Sequence, residues 1–443
     1  MIYVDDIVKI CNGILYSGNN NTLCINFVKD SRLIKPGDIY VGIKGEKFNG
    51  NNFYKEAFDK GASVCLLDKD TKIDDAYKDK TIVLVDDTVK AIQELAKYKR
   101  SLYNIPVIAI TGSVGKTSVK DMVYRVVNSK YKTLSTSGNM NNHIGVPLTI
   151  LSLRDHEALI VEMGMNHLGE IDVLSRITKP TLAIITNVGT AHIGNLGSRE
   201  NILKAKMEIV NGMDNGTLII NNDNDLLHTV KYNNLITIGI DNDSDYMASN
   251  IQDNVFSSSF YINDDYITIP IGSKAFVYNS LFAYAVGKKL DINDNKIITA
   301  LNTFKLNPHR LELIKGKDYT IIDDTYNASL DSVNNALGML SKVKGRKVFI
   351  FGDILELSEY AKDIHEKIGN SVVNNNVNVL ICVGKETKAT YDKVHNNITA
   401  YHFDSNDAMK KALEGIIHSG DTILVKGSHG MNLIEIVEYL SNL

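Results

Sequence analysis

Short runs of apolar residues alternate with stretches of helical spacing along most of this chain. After Pro106 the alternation becomes regular, and the apolar runs are unbroken rather than alternating with polar residues. Strands buried on both faces of a parallel sheet have this pattern, because helices cover both sides of such a sheet. The pattern therefore predicts an α/β protein. The predicted strands of the first half are Ile39–Ile43, Val64–Leu67, Ile82–Val85, Val107–Ile110, Leu159–Glu162, Leu182–Thr186 and Thr217–Ile220.

A second cycle of strands and helices follows Pro308. Its strands end in polar or glycine-rich clusters such as Asp323-Asp324, and ligands of open α/β sheets bind outside the carboxyl ends of strands. These clusters therefore indicate a functional edge. The predicted strands are Thr320–Ile322, Val348–Phe351, Val379–Val383 and Thr422–Val425. The predicted helices of the chain include Val89–Tyr103, Ser118–Ser129 and Ser280–Lys289, and Asp241–Asp265 is predicted as a polar loop or small β excursion.

Length and breaks in the pattern predict three domains. The chain has 443 residues, and a domain usually has roughly 100–200. The helix before Pro106 ends near residue 100, because the residue before a proline avoids the α conformation. Pro308 marks a second break. We predict domains at 1–99, 100–308 and 309–443.

Composition excludes several classes of protein. Hydrophobic residues make up 44% and charged residues 23%, which is typical of a globular protein and not of a disordered, collagen-like or coiled-coil chain. Lys and Arg number 48 against 52 Asp and Glu, so the formal net charge is −4. A protein that binds duplex DNA usually carries a basic surplus. We therefore expect no nucleic-acid partner.

Neither a membrane nor an oxidising compartment is indicated. No apolar run approaches the roughly 18 residues of a membrane span, and Asp5 and Asp6 interrupt the N-terminal apolar run that a secretory signal needs. The four cysteines form no CxxC pair, so reduced thiols are expected rather than a zinc or redox site. We expect a cytoplasmic protein. We also expect a monomer, since no sustained heptad pattern stands out.

The strongest local motif is ITGSVGKTS, which follows a predicted strand and opens a predicted helix. Gly112 and Gly115 allow a tight loop whose N–H groups face phosphate oxygens, and the helix N-terminus adds partial positive charge. Lys116 would contact the β- and γ-phosphates, and the Thr117 hydroxyl would bind Mg²⁺. The general P-loop pattern has a further glycine where this chain has Ile110, so the fit is to a shorter TGxxGKT pattern. The residues predicted to bind the nucleotide here are Thr111, Gly112, Ser113, Val114, Gly115, Lys116, Thr117 and Ser118.

Two later strand ends carry candidate metal ligands. Glu162 closes the strand ALIVE, and His192 follows the strand LAIIT. Alone, the carboxylate is explained by capping or solvation, and a single histidine is more often structural than a ligand. Their shared position at strand ends near the phosphate loop favours a metal site, because such ends line one crevice. Mg²⁺ prefers oxygen ligands and tolerates an imidazole.

Nine segments in sequence order resemble the Mur ligase family, nearly from end to end of the chain. The elements DDTYNAS and NMNNHIG are similar to the branch that adds D-alanyl-D-alanine, rather than to relatives that add L-Ala, D-Glu or a third residue. The segments are DSRLIKPGDIYVGIKGEKFNG, ITGSVGKTSVKDM, SGNMNNHIGVPLTIL, EMGMNHLGEI, TNVGTAHIGNLGSRENILKAKMEI, NPHRLEL, DDTYNASLDS, FGDILELS and LVKGSHGM.

The resemblance implies a fold and a reaction. The fold would combine a small α/β uridine-binding N-terminal domain, a central P-loop-type parallel-sheet ATP domain and a C-terminal Rossmann-like domain. ATP would phosphorylate the C-terminal carboxylate of UDP-N-acetylmuramoyl-tripeptide, and the amine of D-alanyl-D-alanine would attack the acyl phosphate. The products would be the UDP-linked pentapeptide of peptidoglycan synthesis, ADP and phosphate. Such chemistry needs positioning and charge neutralisation rather than a protein nucleophile.

The resemblance also assigns residues to roles, and it implies ATP and two Mg²⁺ ions as cofactors. Lys206 matches a lysine that the family carbamylates to help hold Mg²⁺, although an ordinary lysine on a helix would explain it as well. Arg310 would reach the transferred phosphate. Asn279 would contact the adenine, and Asp324 would lie near the ribose unless it only forms a turn. The residues matched to catalysis are Lys116, Glu162, His192, Lys206 and Arg310. The residues matched to metal binding are Thr117, Glu162, His192 and carbamylated Lys206.

Substrate contacts follow from the same match. The N-terminal DSR element and the following IKG element would bind the uridine diphosphate, although Arg32 fits a solvated loop charge equally well. Residues after the phosphate loop would line the muramoyl-peptide cleft, and the YNAS element would form the dipeptide pocket. The matched residues are Ser31, Arg32, Lys44 and Gly45 for the nucleotide, Asn139 and Asn142 for the peptide, and Tyr326, Asn327 and Ser329 for D-alanyl-D-alanine.

The chain departs from the family pattern at several positions. Ala275 and Phe276 replace a His-Asn pair before Asn279, and Met207 replaces a glycine; Leu330 and His429 replace a proline and an arginine near the dipeptide pocket. These last two leave open a paralogue that takes D-alanyl-D-lactate or D-alanyl-D-serine. The sequence also leaves open a folylpolyglutamate-type or amidating ligase, and a non-catalytic nucleotide-binding regulator.

Overall fold

The computed structural model describes residues 1–442, which fall into two compact units. The first unit combines Met1–Thr111, Tyr131–Ala183 and Met207–Leu218. The second combines residues 112–130 and 184–206 with the described residues from 219 to 442. Each unit is therefore built from segments that are distant in the sequence.

Strands and helices alternate through the described residues, as the apolar pattern predicted. The strands are β1 Ile2–Tyr3, β2 Ile14–Ser17, β3 Leu23–Cys24, β4 Phe27–Val28, β5 Ile39–Val41, β6 Val64–Asp68, β7 Thr81–Val85, β8 Val107–Thr111, β9 Thr133–Ser135, β10 Ala158–Glu162, β11 Leu182–Ile185, β12 Thr217–Asn221, β13 Leu235–Gly239, β14 Tyr246–Asp253, β15 Ser258–Ile262, β16 Asp265–Ile269, β17 Glu312–Lys315, β18 Thr320–Asp324, β19 Lys347–Gly352, β20 Val379–Val383, β21 Thr399–Phe403 and β22 Thr422–Lys426.

The α-helices lie mostly between these strands. They are α1 Val4–Ile10, α2 Tyr54–Asp59, α3 Thr88–Ser101, α4 Lys116–Val127, α5 Gly145–Leu151, α6 Glu170–Thr178, α7 Ile193–Leu196, α8 Arg199–Met207, α9 Lys274–Lys289, α10 Asp294–Asn302, α11 Leu330–Ser341, α12 Ala361–Asn374, α13 Lys388–Val394, α14 Asn406–Ile416 and α15 Ile434–Ser441. Among the described residues, no helix has the length and apolar character needed to cross a membrane.

The first unit contains two groups of paired strands that are mainly parallel. One sheet has the order β2-β7-β6-β5-β4, in which only β2 runs antiparallel to its neighbour. Side chains of this sheet, such as Tyr40, form an apolar core together with Tyr54 and Phe58 of α2. In the other, β10 lies between β8 and β9 and is parallel to both. The side chains of β10 are buried along its whole length, which explains its unbroken apolar run.

The second unit contains a six-stranded sheet in the order β17-β18-β22-β19-β20-β21. All its neighbours are parallel except the edge pair β17 and β18. The segment predicted as a polar loop or small β excursion forms β14 and β15, which continue into β16 as an antiparallel ribbon. Alternate residues of β15 are buried, so the apolar positions are spaced too widely to stand out as a run.

The predicted elements agree with the structure to within one or two residues for most strands. The largest difference is α9, which begins at Lys274 rather than at Ser280. Its first turns bury Phe276 and Val277, and Ser273 stands at the N-cap position. The strands β1 to β4, β9, β13, β17 and β21 were not predicted. Most of them have two to four residues, which are too few to show a period.

Candidate functional site

The predicted phosphate loop is Gly112–Gly115, which follows β8 in the chain and precedes α4. Gly115 has a φ of +81°, a conformation that suits glycine, and its carbonyl accepts the first helical hydrogen bond from Val119 N. Lys116 Nζ donates to the carbonyl oxygens of Gly112 at 2.8 Å and Ser113 at 3.4 Å. The ammonium group therefore lies back over the loop, where the helix N-terminus adds partial positive charge.

The segment Thr186–Gly189, here called the TNVG segment, fixes the shape of this loop. The Asn187 side chain accepts a hydrogen bond from Val114 N at 3.0 Å and donates one to Val114 O at 3.1 Å. Ser113 N donates to Asn187 O at 3.1 Å, and Gly189 N donates to Ser113 Oγ at 2.9 Å. No role was predicted for these residues from the sequence, because nothing in their spacing shows that they face the loop.

Close packing explains the first glycine of the loop. A methyl group at Gly112 would lie 1.8 Å from Thr186 Oγ1, which is far inside van der Waals contact. That hydroxyl donates to Val114 O at 2.6 Å. Any side chain at Gly112 would therefore push the TNVG segment away and open the loop.

Lys206, on α8, is fully buried, and its Nζ has no hydrogen-bond partner in the described part of the chain. Burial lowers the pKa of Lys206 well below its ordinary value of 10.5, and the charge of Lys116 adds to the decrease. An unpaired buried ammonium is costly, so burial favours the neutral form of this amine. A neutral amine is nucleophilic, which separates Lys206 from an ordinary surface lysine.

Arg310 connects the phosphate loop helix to the YNAS element. Its Nη2 donates to Thr117 Oγ1 at 3.0 Å, and its guanidinium carbon lies 3.8 Å from the ring centre of Tyr326. The neighbours His309 and Leu311 have φ values of +65° and +54°, which L residues rarely adopt. Tyr326 N also donates to His309 O at 3.1 Å. Backbone and ring contacts thus hold Arg310 against the loop.

Tyr326→Leu is expected to lower kcat about tenfold while Tyr326→Phe retains most of it, because the phenyl ring preserves the stack on Arg310. A partly desolvated cation–π contact contributes about 1–2 kcal/mol, which corresponds to this factor. Steady-state kinetics of these variants, of Arg310→Lys and of each combined with Arg310→Lys measure the coupling between the ring and the guanidinium. Additive effects of Tyr326→Leu and Arg310→Lys would contradict a role of the ring in positioning the guanidinium.

Glu162 is the last residue of β10 in the first unit, and it is 2% exposed. Asn141 Nδ2 donates to Glu162 Oε1 at 2.8 Å, while Glu162 N donates to Thr136 Oγ1 at 3.0 Å. Gly164 makes room for this asparagine, since a methyl group there would lie 2.9 Å from Asn141 Oδ1. The sequence did not single out Asn141, although it lies in the NMNNHIG element between two residues that were.

His192 and Asn279 belong to the second unit. His192 has a φ of +64° and precedes α7, and its Nδ1 lies 3.9 Å from Glu356 Oε2. Asn279 is buried in α9, and a methyl group at Gly115 would lie 3.6 Å from Asn279 Oδ1. This amide therefore lies beside the phosphate loop. Its contact with adenine stays a prediction.

The DDTYNAS element is tied to its own surroundings. Asp324 Oδ2 accepts a hydrogen bond from Lys426 Nζ at 2.6 Å, and the same ammonium donates to Asn327 O at 2.8 Å. Burial raises the pKa of Asp324, and the ion pair with Lys426 opposes the rise. Asn327 Oδ1 accepts from Ala328 N, and Ser329 Oγ caps α11 by accepting from the backbone N–H three residues on. Ribose and dipeptide contacts for these residues stay predictions.

The residues predicted for the uridine nucleotide lie in the first unit. Ser31 Oγ donates to Glu56 Oε2 at 2.8 Å. The guanidinium of Arg32 is exposed and forms two hydrogen bonds to Asp30, which hold the pKa of Asp30 at about 2. Lys44 and Asn49 pair through an isolated antiparallel β-bridge, and Gly45 N donates to the carbonyl of Phe48 at 3.0 Å. These backbone contacts close a short loop.

The two asparagines predicted for the peptide cleft differ in their engagement. Asn142 Oδ1 accepts hydrogen bonds from Ile144 N at 3.1 Å and Gly145 N at 2.9 Å, so it holds the backbone at the start of α5. Asn139 is exposed, and its carbonyl accepts a hydrogen bond from Asn141 N at 2.8 Å. The structural role of Asn142 is evident, whereas its contact with a substrate stays a prediction.

Three family descriptions match successive parts of the chain. Residues 25–100 match the Mur ligase family catalytic domain, residues 110–287 the Mur ligase middle domain, and residues 309–429 the Mur ligase glutamate ligase domain. The three-domain α/β architecture expected from the resemblance is therefore confirmed. The boundaries at 99/100 and 308/309 stay predictions.

Relatives with established names cover almost the whole chain. UDP-N-acetylmuramoyl-tripeptide–D-alanyl-D-alanine ligase of Bacillus subtilis is 34% identical over 99% of this chain and 98% of its own. The Escherichia coli ligase of the same name is 32% identical over 93% and 92%.

Solved structures agree with this likeness. A crystal structure of MurF from Acinetobacter baumannii matches with a TM-score of 0.90 at 27% identity, covering 100% of this chain and 99% of that one. MurF from Thermotoga maritima in complex with ADP matches with a TM-score of 0.83 at 28% identity, covering 96% and 99%. With three domain matches in order and close relatives of full length, this chain belongs to the Mur ligase family.

Proposed function

We propose that this chain is an ATP-dependent ligase that joins D-alanyl-D-alanine to UDP-N-acetylmuramoyl-tripeptide. ATP phosphorylates the tripeptide carboxylate, the dipeptide amine attacks the acyl phosphate, and the products are the UDP-linked pentapeptide, ADP and phosphate. Full-length relatives at 34% and 32% identity carry this activity in their names. The reaction belongs to peptidoglycan synthesis.

One observation of the structure carries the proposal: the phosphate loop, Lys116 and Arg310 are assembled in one unit. Arg310 reaches Thr117 next to Lys116, so two permanent or near-permanent cations flank the start of α4. Phosphoryl transfer is catalysed mainly by positioning and by neutralising charge on the transferred group. A lysine and a bidentate guanidinium at a helix N-terminus supply both.

Mg²⁺ fits the residue types at hand, because hydroxyl and carboxylate oxygens are hard ligands of the kind it prefers. Within the second unit, Thr117, His192 and a carbamylated Lys206 would hold it, and the family resemblance alone adds Glu162 as a predicted ligand. The bound metal would neutralise phosphate oxygens, and two ions are proposed. In the first unit, Asn141 orients the Glu162 carboxylate through the hydrogen bond to Oε1.

Carbamylation of Lys206 is supported by the burial of its amine without a hydrogen-bond partner among the described residues and by its lowered pKa. The Nζ lone pair attacks the carbon of CO₂, an N–C bond forms, one C–O π bond becomes an oxyanion, and Nζ releases one proton. The product turns an orphaned donor into an anion with two oxygens. The bound Mg²⁺ would pair with this anion, whereas the unmodified Nζ is left in the interior without a hydrogen-bond partner among the described residues.

Two further observations support the remaining assignments. The loop that follows Lys44 and Gly45 carries Phe48, which is 69% exposed and suited to stack on a uracil ring. The described cysteines are all free thiols, which agrees with a reducing compartment. We propose that the ligase acts in the cytoplasm, as a monomer.

ADP release by the purified chain tests the proposal. ADP and phosphate are expected only when UDP-N-acetylmuramoyl-tripeptide and D-alanyl-D-alanine are both present, and mass spectrometry should show the pentapeptide. D-alanyl-D-serine and D-alanyl-D-lactate serve as competing acceptors, because Leu330 and His429 depart from the family pattern. Higher kcat/KM with either would identify a paralogue, and slow hydrolysis indifferent to all acceptors would favour a nucleotide-binding regulator.

A further inference from the structure

The side chains expected to contact the dipeptide are engaged with the protein itself. Tyr326 stacks on Arg310, Asn327 Oδ1 accepts from Ala328 N, and Ser329 caps α11. None of these contacts provides an anion for the ammonium group that the free acceptor carries at neutral pH. The acidic residue that follows them in the chain is Asp331, in the first turn of α11.

Asp331 is a carboxylate without a strong partner. Its side chain is half-buried, and Oδ2 accepts one long hydrogen bond, 3.4 Å from Thr190 N. Within the described residues no cationic side chain forms an ion pair with it. The nearby Arg199 is already engaged by both oxygens of Asp225, at 2.7 and 2.6 Å, and by Val188 O. A poorly solvated carboxylate in this state attracts a cation.

The position of Asp331 relates it to the phosphate loop. A methyl group at Gly189 would lie 2.0 Å from Asp331 Oδ2 and 3.5 Å from Ser113 Cβ. The carboxylate and the loop serine therefore lie on the same side of Gly189, whose N–H donates to Ser113 Oγ at 2.9 Å. Only glycine allows this approach, so the TNVG segment holds the loop and leaves room for the carboxylate at once.

We propose that Asp331 binds the ammonium group of the incoming dipeptide and accepts one proton from it. The amine lone pair then forms the N–C bond to the acyl-phosphate carbon, and the C–O bond to phosphate breaks with both electrons leaving on the phosphate oxygen. The second amine proton leaves to solvent as the amide forms. This inference rests on the proposed function and adds the residue that activates the acceptor.

The raised pKa of Asp331 suits it to this step, beside its position next to the phosphate loop. Burial raises the pKa of Asp331, opposed by the N–H of Thr190 and the charge of Arg199, and a carboxylate with a raised pKa is a stronger base. The competing explanation is structural, since an acidic residue in the first turn stabilises a helix and the bond to Thr190 fastens α11 to the TNVG segment. The experiment has to separate these two.

The Asp331→Asn variant distinguishes the catalytic role from the structural one. Its amide oxygen can still accept the hydrogen bond from Thr190 N, but the side chain has lost its charge and its ability to act as a base. The variant is expected to lose about 10²-fold in kcat/KM for D-alanyl-D-alanine. Hydroxylamine is largely uncharged at neutral pH and needs no such activation. Tripeptide-dependent hydroxamate and ADP formation with hydroxylamine should therefore stay within about twofold of the unmodified chain.

Asp407→Asn is the matched control, because Asp407 is exposed and occupies the same position after a capping serine, Ser405, at the start of α14. It loses the same helix-terminus interaction and should leave both reactions unchanged. Wild-type-like amide formation by Asp331→Asn, or an equal loss with hydroxylamine, would overturn the inference. Failure of the unmodified chain to make the pentapeptide would instead reject the proposed function.

Discussion

Lys116→Met is expected to lower kcat by about 10³-fold, with thermal stability close to that of the unmodified chain. Removing one preorganised charge from a phosphoryl-transfer site costs about 3–4 kcal/mol of transition-state stabilisation. Lys116 Nζ contacts the Gly112 and Ser113 carbonyls and belongs to the loop rather than to an apolar core. Its loss should therefore affect the reaction and spare the fold.

Steady-state kinetics, ADP binding and a thermal melt together check this expectation. Lys97→Met is the control, since Lys97 is a surface lysine paired with Glu94 on α3. It should retain full activity. A Lys116→Met chain that melts much earlier would show that the lysine supports the loop structurally, and near-normal turnover would remove it from the catalytic site.

Lys206→Ala is the second large effect, with an expected loss of about 10²-fold or more in kcat. Formate or acetate in solution should restore part of the activity, because the truncated side chain leaves space for a carboxylate where the carbamate oxygens would lie. Lys204→Ala is the matched control, an exposed lysine two residues away on α8. Full activity of Lys206→Ala, without any added carboxylate, would exclude the carbamate from the mechanism.

Stability provides a readout of Lys206 that does not depend on activity. The native pKa of Lys206 is depressed below 10.5, so between the two values the unfolded chain binds more protons than the native one. Stability of the CO₂-free protein should then rise as pH increases from neutral towards about 10. Lys206→Met should lack that slope and melt a few degrees higher at neutral pH, which calorimetry in CO₂-free buffer measures. The same pH dependence of stability in both proteins would show that the Lys206 amine is charged in the native state.

Much of the fold follows from local patterns. The strand VLICV at Val379–Val383 was predicted with its bounds unchanged, because a five-residue apolar run ends in a glycine cluster on one side and polar residues on the other. Helix α9 was predicted six residues short, because Lys274 and Asn279 interrupt the apolar run at its start. Asn279 is buried there by tertiary contacts that the sequence does not display.

The candidate site also contains residues that the sequence reveals and residues that only the structure reveals. The GKT loop is visible in the sequence because one continuous segment contains its glycines, its lysine and its hydroxyl. Asn187, which holds the loop backbone, and Asn141, which holds Glu162, are distant in the chain from the groups they bind. Nothing local distinguishes such an asparagine from one in a surface turn.

The sequence by itself determined the alternation of strands and helices, the phosphate loop and the family, since each depends on residues that are neighbours in the chain or on their order. Only the tertiary structure decided that the Lys206 amine is buried without a partner, that Tyr326 stacks on Arg310, and that Asp331 lies against Gly189. These are properties of burial and of contacts between distant segments. Such contacts set the charge state of a side chain and the groups it can contact, and they exist only after the chain has folded.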